Sequence, residues 1–246
     1  MISDRKLGKI PRVIHYCWFG RKPLPQFAQD CINSWKKHLS NYEIKEWNED
    51  NFDINCCDYV REAYLAKKWA FVSDYARFWI LYNYGGLYFD TDVEVIKPLD
   101  DLIDRGSFMG CEFDYTVAPG LGLAANPGLG LYKEILDYYN KLHFNVVYIK
   151  TVVDYTTEIL ITHGFKGNGE IEKIDNVWIY PPEYFCPMNQ WTGKIITTEN
   201  TRSIHHYTAT WQSPYSKFKS RVQKLLGQEW TNYIISIKKK LKKLKI

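Results

Sequence analysis

The chain has 246 residues, of which 46% are hydrophobic and 24% charged, with a net charge of +4. That length suits one sizeable domain with a full core, and the balance excludes a disordered chain. The charge is unevenly placed: residues 217–246 hold ten Lys/Arg and one Glu, the rest 22 basic and 27 acidic residues, so an acidic body without a basic groove motif argues against nucleic-acid binding.

Six cysteines show no C-x-x-C spacing and read as buried free thiols of a reducing compartment. The start, 1–14, has no long apolar run before the first folded segment, and nowhere do the ~20 apolar residues of a membrane-crossing helix occur. A cytoplasmic protein is expected.

In chain order, 12–19 (RVIHYCWF) reads as a buried first strand closed by Gly20, and 22–25 as a Pro-rich turn. Residues 26–38 predict a helix with Phe27, Cys31, Ile32 and Trp35 on one face. Residues 42–47 predict a second strand, 48–53 a turn and 58–68 a polar helix. Strand–helix–strand–helix–strand predicts a mostly parallel sheet with helices on its faces. Ligands of such sheets bind at the carboxyl ends of the strands, where Trp18 lies. Within the first strand, His15 reads as a hydrogen-bonded core histidine.

The stretch 69–95 (WAFVSDYARFWILYNYGGLYFDTDVEV) organises the chain. Residues 69–84 are apolar nearly all round, as in a buried helix, and Gly85-Gly86 supplies its stop. Residues 87–95 then alternate, which predicts a strand with Leu87, Phe89, Thr91, Val93 and Val95 on one face and Tyr88, Asp90, Asp92 and Glu94 on the other. Asp90 and Asp92 are thereby about 6–7 Å apart on one side of the strand or its end. Two repelling carboxylates against an apolar segment make most sense bridged by a cation, and oxygen ligands favour Mg²⁺ or Mn²⁺. Asp74 and Arg77, at i and i+3, can pair inside the apolar helix. A lone D-x-D or a lone Asp–Arg pair is weak evidence; S-D-x-x-R, Y-G-G and D-x-D in one run is much more specific.

That run, SDYAR–YGGLYFDTDVEV, resembles the donor-sugar-binding core of family-32 glycosyltransferases. These include bacterial capsular-polysaccharide and surface-glycan transferases, and they are related to the glucosylating domains of large clostridial toxins. The resemblance extends from about Ile10 to Trp211. It implies a GT-A-type α/β nucleotide-sugar-binding fold and a retaining, metal-dependent transferase using a UDP-sugar. Trp18 matches the aromatic that stacks on the uracil, with a core tryptophan as the plain alternative. Ser73 is expected near the base, Asp74 and Arg77 on the donor sugar's hydroxyls, Asp90 on the ribose and bridging toward the sugar, and Asp92 on the metal.

Past 100–110, a connection, residues 107–112 predict a further strand, and APGLGLAANPGLG (118–130) follows. Gly120-x-Gly122-x-x-Ala125 formally matches a dinucleotide fingerprint, but it lies mid-chain without a βαβ start, and Pro127 breaks the required helix. A glycine-rich loop beside the sugar pocket is expected instead, from which Asn126 could reach a donor hydroxyl. Residues 131–142 and 151–162 predict helices, and 176–180 a short strand. Residues 203–207 alternate like a strand, so His205 and His206 face opposite sides. The family's histidine followed by S/T-W maps onto His205 and Thr210-Trp211. By this resemblance His205, with His206 as the alternative, is expected to complete the metal shell with Asp90 and Asp92, a nitrogen ligand leaning toward Mn²⁺ over Mg²⁺. Trp211 is expected to close over the diphosphate.

The expected organisation is a catalytic domain over 1–216 and a basic helical tail over 217–246. Trp230, Ile234, Ile237, Leu241 and Leu244 form a stripe between lysines, as in helices that lie on membrane surfaces. The reading is a transferase of a hexose or N-acetylhexosamine to a glycan, such as a lipid-linked capsular or surface polysaccharide, at the inner face of the cytoplasmic membrane. A metal-dependent nucleotide-sugar hydrolase and a non-catalytic glycan-binding module are the alternatives. No nucleophile for a double displacement is visible, so same-face attack is expected. The tail gives a first prediction: each lysine near an anionic bilayer contributes about 1 kcal/mol, so the full chain should pellet with anionic liposomes at low salt and be partly released at high salt. Truncation after Ser216 should remove that binding; unchanged binding would rule out the tail as anchor.

Overall fold

The computed structural model describes residues 9–147, 150–189 and 192–208; Trp211 and 217–246, with the lid and the tail expected there, lie outside the described residues. The elements in order are β1 (Val13–Cys17), α1 (Gln26–His38), β2 (Glu43–Trp47), α2 (Asp58–Leu65), α3 (Trp69–Tyr84), β3 (Gly86–Tyr88), β4 (Val93–Val95), α4 (Asp100–Ile103), β5 (Phe108–Gly110), β6 (Leu123–Ala125), α5 (Gly130–Tyr139), α6 (Val152–Thr162), β7 (Glu172–Ile174), β8 (Val177–Tyr180), α7 (Pro182–Phe185) and β9 (Ser203–His205).

Seven strands form one sheet in the order β2-β1-β3-β6-β5-β8-β7, and β4 pairs with β9 in a second, two-stranded sheet. Within the large sheet β1, β2, β3, β5 and β8 run one way; β6 and β7 run against them. The expected α/β architecture with a mostly parallel central sheet is therefore present. Its strands alternate between two apolar layers, because successive side chains leave opposite faces. Tyr88, Met109, Leu123, Ala125, Val177 and Ile179 join the core built with α2, α3, α5 and α6. Leu87, Phe89, Phe108, Ala124 and Tyr180 join the core on the other face, with Trp35 of α1 and Phe185 of α7.

The structure corrects the reading of 87–95 as one strand. Residues 89–92 leave the ladder: β3 ends at Tyr88, the chain turns through Asp90–Asp92, and β4 belongs to the other sheet. The Val93 amide donates to the Asp90 carbonyl at 3.1 Å across this turn. α1 holds the far side: Trp35 Nε1 donates to the Val93 carbonyl at 2.7 Å, and the Val95 amide donates to Ser34 Oγ at 2.9 Å. The glycine-rich stretch is also more than a loop. It contains β6, which links the two parallel halves of the sheet by antiparallel pairing to β3 and β5. Small side chains at Ala124 and Ala125 and flanking glycines hid that strand from propensity. The thiols are free, as expected, but not all are buried: Cys56 is exposed and Cys57 half-buried. Among the described residues no helix is long and apolar enough to cross a membrane.

The stop after α3 rests on two glycines. Gly85 has φ +65 and Gly86 φ +100, and a Cβ on Gly86 would lie 2.6 Å from the Val13 carbonyl oxygen. His15 locks this corner. Its Nδ1 accepts from Trp47 Nε1 at 3.0 Å, so its proton sits on Nε2, which donates to the Gly85 carbonyl at 3.0 Å. Burial pushes the imidazole down to about 4, with Lys45 adding to the effect against the Gly85 bond. A depressed base is protonated first in the unfolded chain, so its contribution to stability is lost as pH falls from about 6.5 through 4. Between those values the wild type should lose about 3 kcal/mol of unfolding free energy relative to His15→Gln, measured by urea titration. Equal acid sensitivity in both would show that His15 does not carry this effect.

Candidate active site

α3 presents its only two charges, Asp74 and Arg77, toward the carboxyl end of β3. Their side chains are 10% and 4% exposed. Arg77 is held from all round: Nε donates to the Ser73 carbonyl at 3.1 Å, Nη2 pairs with Asp74 Oδ1 at 2.9 Å and with Asp90 Oδ1 at 3.2 Å, and its guanidinium lies 5.0 Å from the centre of the Tyr88 ring. Tyr88 Oη also donates to Asp90 Oδ1, at 3.1 Å. Asp90, with its side chain 31% exposed, is thus the accessible end of a buried charged column whose floor is Asp74 and Arg77. Burial pushes Asp74 up to about 7 against the opposing pull of Arg77, with Asp90 adding to the rise. Asp90 is raised for the same reason, Arg77 opposing and Asp92 adding.

Asp92 has a different environment. Its Oδ1 lies 3.2 Å from His205 Nε2, and its Oδ2 accepts from the Thr208 amide at 2.8 Å and from Thr208 Oγ1 at 2.9 Å. Burial opposes its ionisation, but the charge and hydrogen bond of His205 and the two bonds from Thr208 outweigh it and hold the carboxyl well below its ordinary value. His205 is correspondingly raised, Asp92 overcoming the cost of burial. The His206 ring goes elsewhere, to Glu94 Oε2 at 2.9 Å and edge-on to Phe27. The two histidines therefore diverge as alternation requires, with His205 on the Asp92 side. Neither carboxylate of the D-x-D stands unpaired: Asp90 pairs with Arg77, and Asp92 lies against His205.

The other expected site residues divide. Trp18 follows β1 at the same edge as Asp90, half-buried, with Nε1 donating to the Lys22 carbonyl. Ser73 Oγ turns back into its own helix, donating to the Trp69 carbonyl at 3.2 Å. Asn126 is away from the cluster. β6 runs antiparallel to β3 with Gly86 opposite Ala125, so Asn126 lies past the end of the sheet opposite to Asp90. Its Oδ1 is buried without a hydrogen-bond partner, and its amide donates to Ser107 Oγ at 3.3 Å.

Three neighbours carry no local sequence signal. Thr208 caps Asp92 as described. Glu112 follows β5, and its Oε2 accepts from Tyr207 Oη at 3.3 Å; the Tyr207 ring packs on His205 with centroids 4.2 Å apart. Gly120, passed over as part of a rejected fingerprint, accepts at its carbonyl from the Asp90 amide at 3.0 Å. A Cβ there would lie 2.0 Å from Asp90 Oδ2. Gly120→Ala must therefore push the Asp90 carboxylate off its position. Since a displacement of about 1 Å at a reacting centre can cost ~10²-fold, turnover at this site should fall by about that factor with the circular dichroism spectrum kept. Unchanged turnover would show that Asp90 need not stay where Arg77 holds it.

Residues 25–109, running from α1 into β5 and including both S-D-x-x-R and D-x-D, match the family described as glycosyltransferase sugar-binding region containing DXD motif. A stretch of 115 residues is 29% identical to inositol phosphoceramide mannosyltransferase 1 of Schizosaccharomyces pombe, covering 42% of this chain and 34% of that protein; the match thus spans about a third of that relative's length. Among solved structures, the PaToxG glycosyltransferase aligns with a TM-score of 0.47 and 18% identity over 62% of this chain and 69% of that one. The galactosyltransferase LgtC, in complex with donor and acceptor sugar analogs, aligns with a TM-score of 0.46 and 13% identity over 89% of this chain and 99% of that one. Over residues 25–109 the chain is therefore similar to the glycosyltransferases that carry a DXD sugar-binding region.

Proposed function

We propose that the protein is a glycosyltransferase that moves a hexose or N-acetylhexosamine from a UDP-sugar to a glycan acceptor, with retention of configuration and with a divalent cation, Mn²⁺ or Mg²⁺, at Asp92. The observation that carries the reading is the pairing of two unlike carboxylates at the carboxyl edge of the sheet: Asp90 on a buried arginine and Asp92 on a histidine.

The donor atoms fit a cation. Adjacent ligands of an octahedral ion with bonds of about 2.1 Å stand roughly 3 Å apart, and Asp92 Oδ1 and His205 Nε2 are 3.2 Å apart. Among the described residues no group of three or more His, Cys, Asp or Glu could hold a metal ion. Two protein ligands accord with ions that take much of their shell from substrate phosphates and water. A divalent cation held there supplies charge neutralisation to a departing diphosphate. Asp90, with Oδ1 committed to Arg77 and Tyr88, would use Oδ2 on the donor's ribose or sugar. Arg77 and Asp74 keep that carboxylate in place, and Arg77 Nη1, which lies beside Gly120, would be the guanidinium nitrogen offered to a sugar hydroxyl. Buried bonds of this kind select strongly, since a wrong sugar leaves them unpaired. Same-face attack remains the preferred course, and lipid-linked surface glycans reached through a membrane-bound tail remain the preferred acceptors. The relative named for mannose transfer makes mannose one of the hexoses to test.

Asp92→Asn should abolish the metal dependence of UDP binding with little change in melting temperature, read by isothermal titration with and without Mn²⁺. UDP binding that keeps its metal dependence in the variant would remove Asp92 from the metal site. Release of free sugar at the full rate without acceptor would favour a hydrolase, and absence of UDP binding in the wild type a glycan-binding module.

A further inference from the structure

Beyond the D-x-D cluster lies a second concavity that the mechanism above does not use. It is a cavity of about 400 Å³ whose lining includes Phe113, Asp114, Tyr115, Pro181, Pro182 and Glu183. Two strand ends build it. Phe113–Tyr115 is the tip of a turn after β5, closed by the Glu112 amide donating to the Thr116 carbonyl at 2.9 Å and by a bridge from Cys111 to Val117. Pro181 and Pro182 follow β8, which runs parallel to β5. The cavity therefore opens at the same edge of the sheet as Asp90, where β1 and β3 also end.

We propose that this cavity is a subsite for the acceptor glycan, in which a neutral pyranose ring lies against Tyr115 and Phe113. The proposal rests on the transferase reading above and specifies the substrate of the same site.

Three observations carry it. Phe113 and Tyr115 are large rings left 36% and 47% exposed, although most aromatics among the described residues are buried. Asp114 and Tyr115 both hold left-handed backbone, at φ +74 and +56, a costly conformation that the turn nevertheless keeps to present them. The Tyr115 ring lies against Gly169, where a Cβ would come within 3.0 Å of it, so the ring is braced from one side.

The charge of the lining decides which substrate fits. Its carboxylates are Asp114 and Glu183, and among the described residues that line it there is no lysine or arginine. A diphosphate would be repelled there, whereas carboxylates beside aromatic faces suit a neutral polyol that offers hydroxyl donors and an apolar ring face. The donor and this cavity are thus distinguished by charge. They are also joined: Glu112 immediately precedes Phe113 and contacts Tyr207, Tyr207 packs on His205, and His205 faces Asp92. A glycan in the cavity would have its reactive end directed along Glu112 toward the metal ligands.

The test is saturation-transfer NMR on the full chain with methyl glycosides of glucose, galactose, mannose, N-acetylglucosamine and N-acetylgalactosamine, each at about 10 mM, a concentration that detects millimolar binding. At least one glycoside should receive saturation on one ring face. Tyr115→Gly, compatible with the positive φ, should cut that signal about tenfold, a loss of about 1.4 kcal/mol, while UDP titration with Mn²⁺ stays unchanged. Phe113→Ala is the second variant should Tyr115→Gly melt early. No glycoside contact, or contact indifferent to both variants, overturns the proposal. Loss of UDP affinity equal to the loss of glycoside contact also overturns it, because the cavity would then belong to the donor. A wild type that contacts glycosides through Tyr115 yet binds no UDP would sink the donor reading and leave the cavity a glycan subsite.

Discussion

The structure depends on one buried guanidinium. Arg77 sits in the middle of an apolar helix with its side chain 4% exposed, and the two carboxylates it pairs with come from its own helix and from the end of β3. Taking an arginine out of water is costly unless its donors are satisfied. Here the Ser73 carbonyl satisfies Nε, Asp74 and Asp90 satisfy Nη2, and the Tyr88 ring covers the guanidinium. Apolar packing alone would fix α3 against the sheet more cheaply. What the arginine adds is a fixed position for Asp90: its Oδ1 is gripped by Arg77 and Tyr88, its backbone amide by Gly120.

The second constraint is the change of sheet between Asp90 and Asp92. A continuous strand would have put both carboxylates on one ladder, equally solvated and repelling each other. By turning at 90–92, the chain leaves Asp90 just past the end of β3 in the main sheet and sets Asp92 beside the β4–β9 pair. The register of that pair, Val93 opposite His205, brings His205 and Thr208 to Asp92 from more than a hundred residues away. The same turn is pinned from beneath by Trp35 and Ser34 of α1. A 13-residue amphipathic helix near the start of the chain thus positions the acidic turn as directly as the motif's own neighbours do.

What could be read in advance follows the range of the forces involved. α1 and α3 were legible to the residue because their periodicity and the Gly85 stop are local signals. The strands β1, β2, β5 and β8 were legible within a residue or two at each end, from apolar runs and turn residues. β6 was not: Leu123–Ala125 is three residues of low strand propensity, and only its position between β3 and β5 makes it a strand. The donor-site residues on α3 and the D-x-D turn were visible because they crowd into one run. Asn126 was misplaced because the direction of β6 could not be known, and that direction decides which end of the sheet it reaches. Glu112, Tyr207 and Thr208 escaped notice for a related reason: each matters through a partner distant in sequence.

The two carboxylates of the motif end up chemically unlike, and this follows from their partners rather than from their burial. Both are largely removed from water, which by itself would raise both. At Asp90 the rise survives, because burial outweighs the opposing pull of Arg77 and the charge of Asp92 adds to it. At Asp92 the rise is reversed, because one raised histidine and two hydrogen bonds from Thr208 serve that carboxylate. An acid that is reliably anionic is the better ligand for a hard cation. An acid held nearer neutrality and more open to solvent is the better exchanger of hydrogen bonds with hydroxyls. The spacing of D-x-D suggests two equivalent groups, and the fold makes them different by giving each a separate cationic neighbour.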